Sequence, residues 1–397
     1  MPVPSPVDPE LLRRALEPTM GRSRTLPAEA YTSQSVFDWE VEHFFEGGWV
    51  CVGRSEDLAQ PGDQRAFRIG DEGILVVRDL GGGLRGFYNT CRHRGHELLE
   101  PGTARNLRAI KCPYHAWVYR LDGSLGAAPR FGDLAEFDKG DYPLIAARIH
   151  EWNGWIFVNP DGSAATFDRY VGNLSEQTAA WEIDRLYVAA SHDYVIAANW
   201  KTITENYHEC YHCPSIHPAL CAVTPPESGE NFPHDGLWVG GSMVLKDFAE
   251  TMSLTGASDG VRIRGLSDAQ AREVHYIGLF PNLLISLHPD YVMTHRFEPL
   301  GPGRSRVRCQ WLFPPEAKEQ PGFSPSYASE FWDITNREDW LACESVYRGL
   351  QSHGFRQGPF AWSEDEVHVF MAMVAQGYLD GVASTPPQVQ EPDAAGV

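Results

Sequence analysis

Apolar and polar positions change their period several times along the chain, and each change marks an element. Between 28 and 48, Ala28, Tyr31, Val36, Phe37, Val41, Phe44 and Phe45 recur at helical intervals, which predicts a helix. Short apolar or β-branched runs follow at 49–53, 64–69, 74–78 and 84–88, with Gly81-Gly82-Gly83 in the turn before the last; these read as strands. Residues 151–160 read as the strand that closes this small β unit. Turn chemistry at Asn159-Pro160-Asp161-Gly162-Ser163 sets a boundary near 160–170. Beyond it the pattern predicts a strand at 186–196 and a helix that opens near Asn199-Trp200-Lys201 and ends by Pro218. After a loop at 222–235, strands are expected at 237–245, 274–279, 283–287, 291–298 and 305–313. The helical period returns at 324–352 and 364–378. The Pro-rich first fifteen or so residues are expected to be mobile, and the Pro- and Gln-rich tail from Ser384 disordered. The chain shows no internal repeat. The class is α+β: an N-terminal arm and helix over 1–40, an all-β domain over 41–165, a second domain of sheet and long helices over 166–383, and a tail over 384–397.

Composition narrows the class of protein. Hydrophobic content of 43% and charged content of 22% are those of an ordinary globular chain. A formal net charge of −20 argues against nucleic acid or an anionic membrane as partner. No run is long and apolar enough for a transmembrane helix, and the N-terminus lacks the basic and apolar segments of a secretory signal, so a cytoplasmic location is expected. Of the eight cysteines, Cys51, Cys309 and Cys343 lie in apolar surroundings and read as small core residues.

Chemistry enters with Cys91-Arg92-His93 and Cys112-Pro113-Tyr114-His115, two Cys-and-His pairs separated by residues 94–111. Two thiolates and two imidazoles suit either a tetrahedral zinc or a Rieske [2Fe–2S] cluster. Zinc pairs usually keep like with like. Here each loop gives one Cys and one His, as a cluster with a different ligand type on each iron requires. With the flanking Ala116-Trp117-Val118-Tyr119 and Leu121-Asp122-Gly123-Ser124-Leu125, the stretch resembles the Rieske motif.

A second constellation lies at 205–218, Glu-Asn-Tyr-His-Glu-Cys-Tyr-His-Cys-Pro-Ser-Ile-His-Pro. Three histidines crowd it, and an iron oxygenase needs two His and one carboxylate on one face of the metal. His208 and His212 would share a helical face; His212 and His217 would need the helix to end or bulge between them, which Pro214 could cause. Spacing leaves both pairs open. Asn199-Trp200-Lys201, Glu205-Asn206-Tyr207, Glu209-Cys210-Tyr211-His212 and His217-Pro218 together resemble the second signature of the Rieske non-haem iron oxygenases. That resemblance implies His212 and His217 as iron ligands. It makes Glu209 an acid that does not bind metal but bridges to a Rieske histidine, His115, of a neighbouring subunit. It also implies a third ligand on a C-terminal helix, Asp339, with Glu338, Asp333 and Glu344 as rivals on that helix. Cys210 and Cys213 read as packing residues beside these histidines.

The resemblance covers about residues 35–375 and implies a terminal oxygenase α subunit: a Rieske domain holding [2Fe–2S] on Cys91, His93, Cys112 and His115, then a START-like helix-grip domain with an antiparallel sheet and mononuclear Fe(II). It implies O₂ as co-substrate and electrons from NAD(P)H through a separate flavin or iron–sulfur reductase or ferredoxin, since the chain has no Gly-x-Gly-x-x-Gly fingerprint. It implies a homotrimer, because within one chain the two centres would be too far apart, and no β subunit, since the chain resembles homotrimeric members. The motif versions look most like the branch that acts on quaternary ammonium compounds such as betaines, choline and carnitine. Tyr207, Tyr211, Trp238, Phe280 and Tyr291 could form an aromatic cage for such a cation. An aromatic-ring dioxygenase or aromatic ether O-demethylase is the alternative. From other classes, a Rieske electron carrier and a zinc-stabilised binding protein also fit parts of the pattern.

Overall fold

The structure, a computed structural model, describes residues 3–132 and 134–385. The tail expected at 384–397 lies outside the described residues from 386 onward. The chain divides into two compact units: Val41–Phe167, and Met1–Glu40 with Asp168–Val397.

The unit Val41–Phe167 is built on strands β1 (Val50–Arg54), β2 (Asp63–Ile69), β3 (Glu72–Arg78), β4 (Leu84–Tyr88), β5 (Ala104–Asn106), β6 (Ile110–Lys111), β7 (Val118–Tyr119), β8 (Leu125–Ala127), β9 (Ala146–Trp152) and β10 (Trp155–Asn159). One antiparallel sheet runs β1-β10-β9-β4-β3-β2-β5, and a small one runs β6-β7-β8. Ile74, Leu75, Val76 and Val77 are all fully buried, which explains why this β-branched run does not alternate. Residues 151–160 are not one strand. Asn153 and Gly154 take positive φ (48° and 75°) and turn β9 into β10, with Trp152 paired to Trp155 across the hairpin.

The helix expected over 28–48 is broken. Glu29–Thr32 stops where Ser33 turns extended (ψ 128°). Gln34–Glu40 follows, with Phe37 N–H donating to the Ser33 carbonyl, and a π-helical turn, Val41–Glu46, completes the run. The first residues are not a loose arm either. Asp8 caps a helix, Pro9–Ala15, whose Leu12 and Ala15 are buried.

The second unit carries β11 (Tyr187–Ile196), β12 (Glu230–Asn231), β13 (Trp238–Val244), β14 (Glu273–Leu279), β15 (Leu283–Leu287), β16 (Val292–Gly301) and β17 (Arg304–Phe313), an antiparallel sheet ordered β11-β17-β16-β15-β14-β13-β12. The helix Ser326–Leu350 lies against it: Trp332 Nε1–H donates to the Tyr291 hydroxyl, and Asn336 bonds His295 on β16 and Cys309 on β17. No described helix is long and apolar enough to cross a membrane.

Candidate metal centres and the adjoining cavity

The two Cys-His loops have the same backbone. In each, the cysteine N–H bonds the carbonyl five residues on (His96, 2.9 Å; Trp117, 2.8 Å). Its own carbonyl accepts from the residue four on, Gly95 or Ala116. Closing such a loop needs positive φ at that fourth residue: Gly95 has φ 75° and Ala116 φ 59°. Cys91 and Cys112 are free, buried thiols in an apolar cluster with Leu75, Trp117 and Tyr119. His93 and His115 are partly exposed, ring centroids 4.6 Å apart, with His93 stacked on Trp117. Nδ1 of His93 is buried without a partner, as a nitrogen reserved for metal would be. Among the described residues, the only set of three or more His, Cys or acidic donors gathered within 4.8 Å lies elsewhere, in the second unit. The loop donors therefore spread wider than one ion would hold, and they fit a two-iron cluster better than zinc.

That other set is His212, His217 and Asp339. The helix Trp200–Tyr207, capped by Asn199, ends before the histidines. Pro214 and Pro218 each sit in the first turn of a short helix, Cys213–Ile216 and Pro218–Val223, so His212 and His217 become the residues just ahead of those turns. The chain folds back between them, which brings positions five apart face to face. His212 Nε2 lies 3.1 Å from His217 Nε2, and Asp339 Oδ1 lies 2.8 Å from His217 Nε2 and 3.5 Å from His212 Nε2. Adjacent ligands of a six-coordinate ion at roughly 2.1 Å are about 3 Å apart, so this spacing fits a metal.

Each histidine is held from behind by a carboxylate. Glu209 Oε1 lies 2.5 Å from Nδ1 of His212, and its Oε2 accepts from the His212 N–H at 3.0 Å; Glu338 Oε2 lies 2.7 Å from Nδ1 of His217. Such carboxylates fix tautomer and ring orientation in metal sites. Burial pulls His212 down, but the hydrogen bonds to Asp339 and Glu209 outweigh it and carry the imidazole up to about 9. Burial likewise opposes the ionisation of Asp339, and its bonds to the two histidines leave it below the usual carboxylate range. The pocket thus favours a positive charge at the point where the donors converge.

A cavity of about 630 Å³ opens beside these donors. Tyr207, Tyr276 and Trp332 line it, and Trp332, Thr335 and Asp339 follow one another along the inner stripe of the helix Ser326–Leu350.

Residues 48–138 match the model of the Rieske [2Fe–2S] domain, and residues 183–379 match that of the ring hydroxylating alpha subunit (catalytic domain). The chain is 40% identical over 364 residues to the carnitine monooxygenase oxygenase subunit of Acinetobacter baumannii, covering 89% of this chain and 94% of that one. The chain belongs to the Rieske-type ring-hydroxylating oxygenases. It is 30% identical over 367 residues to the glycine betaine monooxygenase oxygenase subunit of Chromohalobacter salexigens, covering 85% of this chain and 82% of that one. A quaternary ammonium Rieske monooxygenase solved in complex with the substrate L-carnitine superposes with a TM-score of 0.76 at 27% identity, covering 95% of this chain and 100% of that one.

The oxygenase's own geometry separates the rivals that spacing left open. His208 bonds Glu366 and is not one of the converging donors. Asp333 accepts from Tyr194 and Arg337, and Glu344 accepts from the Ala197 N–H. Cys210 and Cys213 do not flank the histidines as separate packing residues of one helix: the chain turns ahead of the short helix that Cys213 begins, Cys213 N–H bonds the Cys210 carbonyl, and the two sulfurs form a disulfide. Of the five cage aromatics, Tyr207 and Tyr211 line the cavity; Trp238, Phe280 and Tyr291 are core residues behind it. Sequence reading missed Tyr276, Trp332 and Glu366. Each lies on an element whose inward face only the folded sheet defines.

Proposed function

We propose that the oxygenase hydroxylates or N-demethylates a quaternary ammonium compound. The observation that carries this reading is the cavity itself: beside the His212, His217 and Asp339 donors, its walls combine the rings of Tyr207, Tyr276 and Trp332 with carboxylates. Ring faces and carboxylates both attract, by charge, a cation that has no N–H to donate. The names of the relatives point to the same class. A plain aromatic ring gains nothing from an acidic wall.

Cys91, His93, Cys112 and His115 would hold the [2Fe–2S] cluster, and His212, His217 and Asp339 the mononuclear iron. When bound, these groups supply one-electron transfer and O₂ activation. The electrons would come from NAD(P)H through a separate reductase. Glu209 and Glu338 keep His212 and His217 in the tautomer that presents Nε2, and the aromatic walls orient the substrate. His115 is partly exposed beside Tyr114, which is 54% exposed, so the tip of this loop is free to meet a neighbouring copy. That supports a homotrimer in which His115 of one copy reaches Glu209 of the next.

An anaerobic single turnover tests the substrate class. Reduced, iron-loaded protein would be mixed with O₂ and a panel of quaternary ammonium compounds, methoxylated aromatics and plain aromatics, with formaldehyde and hydroxylated products measured. Product from a quaternary ammonium compound is expected; product from aromatics alone would overturn the reading.

A further inference from the structure

The cavity holds more carboxylates than the metal donors use. Beyond Asp339 and Glu209, it is lined by Glu227 and Glu230 at an exposed rim, by the half-buried Asp365, and by Glu366 at depth. No lysine or arginine lines it among the described residues. Exposed rim acids are well solvated and mean little alone. Glu366 is different. Its side chain is only 12% exposed, and one oxygen lies 3.3 Å from Nδ1 of His208, whose ring is fully buried. The other oxygen is buried with no hydrogen-bond partner. Two glycines make room for the pair: a Cβ at Gly278 would lie 2.1 Å from Nε2 of His208, and one at Gly241 would lie 2.8 Å from the free oxygen of Glu366. Neighbouring strands β13 and β14 each give up a side chain to seat this acid and its clamp. The hydroxyl of Tyr276, also on the cavity wall, is likewise buried without a partner.

A buried carboxylate oxygen with no donor is costly unless a ligand meets it. A quaternary ammonium group meets it by charge, needing no N–H. A second, negative end on the same ligand would face this excess of acids with only uncharged donors such as Asn206, Asn231, Ser242 and Thr335 nearby, and no lysine or arginine among the described lining residues to balance its charge. Building on the quaternary ammonium reading above, we propose that the substrate is a net cation, an ammonium head with an uncharged remainder such as an alcohol. Glu366, clamped by His208, selects it against zwitterionic betaines of similar size. The chain would in this respect depart from relatives named for carnitine and glycine betaine.

The test compares choline with glycine betaine, which share the trimethylammonium head and differ in an alcohol against a carboxylate. Binding to the iron-loaded holoprotein would be measured by anaerobic titration calorimetry, and product formation with reductant and O₂ in parallel. Wild type should bind choline at least tenfold more tightly than glycine betaine. Glu366→Gln, which keeps the shape and the visible [2Fe–2S] spectrum, should weaken choline binding roughly tenfold to a hundredfold and close most of the gap. Equal or tighter binding of glycine betaine by wild type, a comparison that requires no variant to fold, overturns the inference and leaves the quaternary ammonium reading standing. So does a ratio that Glu366→Gln leaves unchanged. If neither compound binds or turns over while an aromatic does, both readings fail together.

Discussion

Glu338 and Asp339 are neighbours on one helix, and each reaches His217 at a different ring nitrogen: Glu338 at Nδ1 (2.7 Å) and Asp339 at Nε2 (2.8 Å). Only one of them can be a ligand if Nε2 faces the metal, and the other then acts by orienting the ring. Glu338→Ala removes both the charge and the acceptor behind Nδ1. Losses for such outer carboxylates run about 10- to 100-fold in metal affinity, or roughly 1.4–2.7 kcal/mol. Glu338 is 30% exposed at its side chain, so water replaces part of the lost bond and the lower end is expected. Glu338→Gln keeps an oxygen for the Nδ1–H and loses only the charge assistance, about 1 kcal/mol or roughly fivefold. Asp339→Ala removes one of three donors and should abolish loading at metal concentrations that still fill both Glu338 variants. Metal content after desalting, and chelator competition with Fe(II) under anaerobic conditions, give the ranking. The visible spectrum of the [2Fe–2S] centre serves as a folding control. If Asp339→Ala loads like wild type while Glu338→Ala loads nothing, the two roles are exchanged and the site has been read wrongly.

Three other outcomes follow from buried polar groups. The Tyr119 hydroxyl lies 3.3 Å from Sγ of Cys91 and accepts from the Arg92 N–H; Tyr119→Phe should lower the cluster's midpoint potential by about 40 mV, the equivalent of one lost hydrogen bond of about 1 kcal/mol, in a redox titration followed by its visible bands. Lys201 and Glu40 form a fully buried pair at 2.5 Å, with Trp200 also donating to Glu40; Lys201→Met should cost about 3–5 kcal/mol and lower the melting of the catalytic unit by roughly 10 °C, while the double change with Glu40→Leu recovers most of it. Burial raises Glu205 to about 7, against the hydrogen bond from Tyr31 and the charge of Lys201. Between an unfolded value near 4.5 and about 7 the native state keeps a proton that the unfolded chain has released, so this group's contribution to stability falls as pH rises through that window, by up to about 3 kcal/mol, and is flat above it. Denaturant midpoints from pH 4.5 to 8 should show that slope in wild type and lose it in Glu205→Gln.

What could be read from sequence was what neighbouring residues decide. The Cys-His loops are complete within a few positions, so their ligand types, their turns and the positive φ at Gly95 and Ala116 are all local. The strands at 64–69, 74–78 and 84–88 carry their own periodicity and turn signals. Where a reading failed, a local signal was overridden by another one nearby: the apolar run at 151–160 hid an Asn-Gly turn, and Ser33 interrupted a helical period that otherwise continued. The identity of the third donor lay beyond such signals. Glu338 and Asp339 differ by one position, about 100° around the helix, and which faces inward depends on how the helix Ser326–Leu350 is rotated against the sheet.

The substrate wall lies further still from any local pattern. Tyr207, Tyr276, Trp332 and Glu366 come from three helices and a strand, and only the packing of those elements brings them to one cavity. Trp238, Phe280 and Tyr291 are the same residue types and equally aromatic, yet they lie in the core. Composition therefore cannot separate cage from core. What packing adds is space: at Gly241 and Gly278 the sheet leaves room beside Glu366 and His208. On that argument the chemistry of the metal donors is specified by short motifs, while the choice of substrate is specified by where the sheet leaves gaps. Substitutions at Gly241 and Gly278 should then alter substrate choice before they alter metal content.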